Sequence, residues 1–98
     1  MATPRASIEH QVALLKAGDL EAFRACFTER LRGRITAEAM AKGTEEISTM
    51  SMEDLFAGME EGEYAGNKTA KVKMKSGRTL TTLILTDGDW LADTIWFK

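Results

Sequence analysis

The segment from Gly77 to Lys98 constrains the fold more than any other stretch of this sequence. Two runs of strand-forming residues, Arg78 to Thr86 and Asp89 to Phe97, flank Asp87-Gly88. An Asp-Gly pair in that setting is a strong hairpin signal. A strand with one wet face should alternate apolar and polar residues, and the second run does not. Trp90, Ala92, Thr94 and Trp96 would share one face, and Leu91, Asp93, Ile95 and Phe97 the other. Large apolar side chains stand on both.

Upstream, Ala70 to Lys75 alternates strictly, with Ala70, Val72 and Met74 on one face and Lys71, Lys73 and Lys75 on the other. Period two predicts a strand, and Ser76-Gly77 predicts the turn that follows it. A weaker strand is expected over Glu61 to Ala65, around Tyr64.

The first half follows a helical period instead. Thr3 is placed to cap a helix with Pro4 at its first position, where a missing N–H costs nothing. Ile8, Val12 and Leu15 then line one face, and Gly18 suits the left-handed residue that ends a helix. Asp19 caps a second helix, which Leu20, Phe23, Phe27 and Leu31 extend to about Leu31 at helical spacing. Thr36 opens a third, with a weak stripe of Met40, Thr44, Ile47 and Met50. Ser51 and Asp54 form a capping box before Leu55, Phe56 and Met59.

Helices first and strands second predict an α+β domain, with N-terminal helices packed on one face of a three- to four-stranded antiparallel meander. The 98 residues make a single domain, 1–98. Its expected core is Val12, Leu15, Phe23, Phe27, Trp90 and Trp96. Helices cover only one side of a sheet, so the second apolar face is expected to meet another copy, since an uncovered patch of that size is unusual on a monomer. A homodimer through the sheet follows, with Leu83, Leu85, Leu91, Ile95 and Phe97 as its interface. The plainer alternative is that a loop or the chain end covers Leu91 or Phe97.

Two short motifs carry a resemblance. Lys16-Ala17-Gly18-Asp19-Leu20-Glu21-Ala22-Phe23 resembles the helix junction, and Asp87-Gly88-Asp89-Trp90-Leu91-Ala92-Asp93 the closing strand, of the nuclear transport factor 2-like superfamily, the cystatin-like α+β cone fold. Both motifs serve packing and turns. The superfamily includes isomerases, dehydratases, cyclases, transport adaptors and oligomerisation domains, so the resemblance implies a fold and does not select an activity. Its enzymes are longer and hold an acid–base pair in a deep cavity. No such pair can be carried over to this chain, and Phe23, Phe27 and Phe56 are expected to fill the space between helices and sheet.

Chemistry-bearing residues are few. Asp93 stands between Leu91 and Ile95; in an apolar cavity it would be a raised-pKa acid or base, and on an exposed face it would pair with Arg78 or a lysine, which is the preferred reading. His10, the only histidine, sits off the apolar face of its helix. Cys26, the only cysteine, reads as a small buried thiol. Arg24, Arg30, Arg32 and Arg34 could gather an anion, although cations also suit a helix end. The lysine face reads as edge protection, and the acidic run Glu53, Asp54, Glu60, Glu61 and Glu63 lacks calcium-loop spacing. No pattern implies a cofactor or a metal.

A net charge of -2 argues against nucleic acid, and no run reaches the roughly 20 apolar residues of a membrane span. No apolar leader is evident at the start, so a cytoplasmic location is expected, the alternative being a mature domain whose leader has been removed. The functional expectation is a non-catalytic domain that binds a small apolar ligand or a protein partner, or that oligomerises. The alternative is a small isomerase or dehydratase using Asp93, with His10 or Tyr64, in a helix–sheet cavity.

Overall fold

The computed structural model describes residues 3–96. Five helices precede four strands among them: α1 Pro4–Ala17, α2 Leu20–Arg24, α3 Glu29–Arg32, α4 Ala37–Ile47 and α5 Met52–Leu55, then β1 Gly58–Tyr64, β2 Asn67–Lys73, β3 Thr79–Thr86 and β4 Asp89–Ala92. The strands form one antiparallel sheet in the order β1-β2-β3-β4. The α+β architecture expected from the change of period is the one observed.

The helix ends follow the local chemistry of the sequence. Thr3 accepts a hydrogen bond from the Ala6 N–H, Pro4 occupies the first turn, and Gly18 closes α1 at φ 73°. Asp19 caps α2 through the Ala22 N–H, and Thr36 caps α4 through the Ala39 N–H. Ser51 and Asp54 complete a reciprocal capping box on α5. Met50, expected on the helix that Thr36 opens, lies beyond its end and is exposed; Met59, expected on the short helix that Ser51 opens, belongs to β1.

The second helix departs from expectation. It stops at Arg24, and residues 26–28 run beside β4 instead: the Ala92 N–H donates to the Cys26 carbonyl at 2.8 Å and the Thr28 N–H to the Ala92 carbonyl at 2.9 Å. Those peptide groups exchange helical partners for the open edge of β4. Phe27 remains fully buried, edge-on to Phe23 with ring centroids 5.1 Å apart, so the apolar spacing is satisfied without a continuous helix. Arginines hold this detour. Arg24 Nε donates to the Ile35 carbonyl, Arg32 Nε to the Phe27 carbonyl, and Arg30 bonds both the carboxylate and the carbonyl of Asp93.

Cross-strand register assigns the two sheet faces. Leu83 pairs with Ala92 and with Ala70, and all three are fully buried under the helices. Leu85 pairs with Trp90 two positions along, on the same inner face. Ile84 and Leu91 face each other on the outer side, both half-buried, in a row with Thr69 and Gly62. The Trp90–Ala92 row therefore meets the helices.

That register corrects the expected interface. Leu83 and Leu85 belong to the inner face, and Ile95 packs against the chain's own core. Of that set Leu91 alone is on the outer face among the described residues, while Phe97 lies outside them. The last strand is also shorter than expected. β4 ends at Ala92, although the Asp93 N–H still bonds the Thr82 carbonyl at 2.9 Å; Thr28 and Arg30 take the Asp93 carboxylate, and Thr94 meets the buried Thr81 hydroxyl at 2.7 Å. The expected core is otherwise met by Val12, Leu15, Phe23 and Phe27, which are buried; Trp90 and Trp96 are half-buried at its margin.

Candidate functional site

Phe23 and Phe27 fill the space beneath the β4 side of the sheet. At the other end, the helices and the β2–β3 hairpin diverge. α4 ends at Ile47, α5 is a single turn, and Met74 and Arg78 close the turn after β2, opposite them. The expectation that Phe23, Phe27 and Phe56 fill the space between helices and sheet is corrected here: Phe23 and Phe27 are packed beside β4, and none of the three lines the space that remains.

The gap is a cavity of about 340 Å³. Ile47, Met50 and Leu55 line its helical wall; Met74, Leu80 and Trp96 line the opposite one. Glu46, Arg78 and Thr79 supply its polar groups. This volume lies at the lower end of the range for small-molecule sites, and apolar walls with a few polar groups are their usual composition. A more open groove of about 540 Å³ shares Met50, Met74 and Arg78 with the cavity and adds Asp54, Lys75 and Ser76.

Backbone contacts fix the mouth. The Lys75 N–H donates to the Asp54 carbonyl at 3.0 Å, tying the hairpin to α5, and the Met74 N–H donates to the Arg78 carbonyl at 2.8 Å. The Asp54 carboxylate accepts from the Ser51 N–H at 2.9 Å. Its capping bonds with Ser51 hold that carboxyl below its ordinary range. Trp96 is placed from the far side: its indole N–H donates to Gln11 Oε1 at 2.8 Å. Gln11 is itself fully buried on α1, where its Nε2 lies 3.4 Å from the Ser7 hydroxyl, which donates to the Trp90 carbonyl at 2.7 Å. Nothing in the apolar periodicity marks Ser7 and Gln11, and their positions beside Ile8 and Val12 are the only available signal.

Asp93 is not among the residues lining the cavity. It is at the outer end of β4, bonded by the Thr28 hydroxyl at 2.8 Å and by Arg30 Nε at 3.1 Å. Its cationic partner is Arg30, not the Arg78 or lysine expected. His10 and Cys26, far apart in sequence, both line a smaller cavity of about 150 Å³ with Asp89, Ser7, Trp90 and Leu91. Histidine, thiol and carboxylate are the residue types of nucleophilic catalysis. Burial, with the nearby Asp89 charge adding to it, pushes the Cys26 thiol up to about 11, and its Sγ donates to the Ala22 carbonyl. It is a protonated, structural thiol at neutral pH. Among the described residues, no group of three or more histidine, cysteine or acidic side chains is placed to hold a metal ion.

Comparison with protein-family models, curated proteins and solved structures found no match. The structure is a compact α+β domain with a half-open cavity of mixed lining between its helices and one end of its meander.

Proposed function

We propose that this chain is a small-ligand-binding domain that takes an apolar molecule into the cavity between α4–α5 and the β2–β3 hairpin. The observation that carries the reading is the half-open 340 Å³ cavity between the helices and the sheet, whose lining residues are mostly apolar. The enzyme reading required Asp93 inside a helix–sheet cavity, and its position at the end of β4 gives that no support. The order of helices followed by a meander is what favours a nuclear transport factor 2-like cone. Ile84 and Leu91, half-buried on the outer face, are what favour a homodimer through the sheet. No described helix is long and apolar enough to cross a membrane, and a cytoplasmic location is part of the proposal.

Decanol is a suitable neutral probe. Titration followed by calorimetry and by tryptophan emission, with Trp96 in the wall, should give saturable binding below 1 mM. Met74→Trp, which fills the cavity from the wall, should abolish it while leaving the far-UV circular dichroism intact. Equal binding by the filled variant would refute the site. For the dimer, light scattering should read twice the chain mass for the wild type and a monomer for Leu91→Asp; a wild type that is monomeric at high concentration refutes that part.

A further inference from the structure

We propose that the ligand is an amphiphile with an anionic head group of the carboxylate kind, its apolar body in the cavity and its head at the mouth on Arg78 and Lys75. The inference rests on the binding reading above and names the chemistry of what is bound.

Four charged side chains line the cavity and the adjoining groove: Glu46, Asp54, Lys75 and Arg78. Both acids have other partners, which orient them without removing the Asp54 charge. Asp54 closes the α5 capping box with Ser51, and Glu46 is engaged in an interaction of its own. Neither Arg78 nor Lys75 is within ion-pair distance of an acid among the described residues, although the Lys75 charge reaches the Asp54 carboxyl, which leaves Arg78 as the principal anchor. Of the other arginines, Arg5, Arg24 and Arg30 pair with acids and Arg32 bonds a carbonyl, while Arg34 lines neither space.

Arg78 is also the one cation that borders both spaces. It stands at the entry to β3, beside Leu80 in the wall, so a head group on its guanidinium leaves an attached chain pointing at Leu80, Met74 and Trp96. A planar guanidinium matches a carboxylate in two parallel bonds, and a lysine beside it adds a point charge. A ligand with an apolar tail and a cationic head would bring like charge to this mouth.

Decanoate, decanol and decylamine share a chain and differ in the head, and all are titrated into the full chain at neutral pH below micelle formation. Decanoate should bind about fivefold more tightly than decanol, a modest factor because the mouth is open to solvent, and decylamine more weakly than either. Added salt should shrink the decanoate advantage. Arg78→Gln should bring the decanoate-to-decanol affinity ratio towards one, and Arg78→Lys should retain part of it. Equal affinity for decanol and decanoate, or tighter binding of decylamine, overturns the head-group assignment while the cavity reading stands. Failure of all three to bind overturns both.

Discussion

Gln11 ties the C-terminal segment to the first helix, and replacing it with leucine tests whether that tie positions the cavity wall. The Gln11 amide is enclosed, and its strongest contact is the 2.8 Å bond from the Trp96 indole. Leucine keeps most of the side-chain volume and removes the acceptor. A lost hydrogen bond of this kind costs about 1 kcal/mol, and an indole N–H left without a partner adds up to about 1 more, limited because Trp96 is half-exposed and water can reach it. The 3.4 Å contact to Ser7 is too long to add much. A total of about 1–2 kcal/mol corresponds to a fall in Tm of about 4–16 °C for a domain of this size. Thermal unfolding by circular dichroism measures it, and tryptophan emission should shift to the red as the indole meets water. A double-mutant cycle isolates the bond: with Trp96→Phe already in place, Gln11→Leu should cost about 1 kcal/mol less than in the wild type. Equal cost in both backgrounds, or an unchanged Tm in the single variant, would refute the tie.

The two sheet faces should separate by mutation in the monomeric Leu91→Asp background: Leu83→Ala, in the closed core, should cost about 2–5 kcal/mol in urea unfolding, and Ile84→Ala on the half-exposed outer face less than half as much. Ala65 sits at φ 52° before Gly66 at φ 83°, a hairpin turn that favours asparagine in its place, so Ala65→Asn should stabilise the domain by about 0.5–1 kcal/mol. Because capping lowers the Asp54 carboxyl in the folded state, the stability it contributes is present above its unfolded pKa and lost as pH falls through the folded one; the Tm difference between the wild type and Asp54→Asn should therefore narrow below about pH 4. Cys26 should resist alkylation at pH 8 in the folded protein and react promptly in denaturant; equal rates would mean its burial is wrongly assigned.

Much of the fold is legible because local signals and tertiary packing agree. The caps at Thr3, Asp19, Thr36 and Ser51, the Gly18 stop and the Asp87-Gly88 turn each satisfy backbone groups within a few residues of themselves. The β1–β2 hairpin was less visible because its turn places Ala65 in the left-handed region, where alanine is no signal, and because β1 is exposed along most of its length. The break after Arg24 was hidden by Phe27 and Leu31, which keep helical spacing while the peptide groups between them bond β4.

The candidate site was legible only in fragments. Met50, Met74 and Trp96 belong to separate predicted elements, and nothing in their spacing brings them to one cavity with Leu80 and Arg78. Asp93 drew notice because its neighbours are apolar, but its partners, Thr28 and Arg30, are more than sixty residues away in sequence.

By itself the sequence determined the class of fold: period 3.6 then period two, punctuated by caps and turns, leaves helices on a meander as the consistent solution. It also determined that the closing segment is apolar in both alternating rows. Tertiary structure decided which row is covered and where the strand ends. Register flips every side chain with a shift of one residue, so only the pairing of Leu83 with Ala92 could place one row beneath the helices and leave Ile84 and Leu91 outside. The cavity was decided in the same way, by the divergence of two layers whose separation no local pattern encodes.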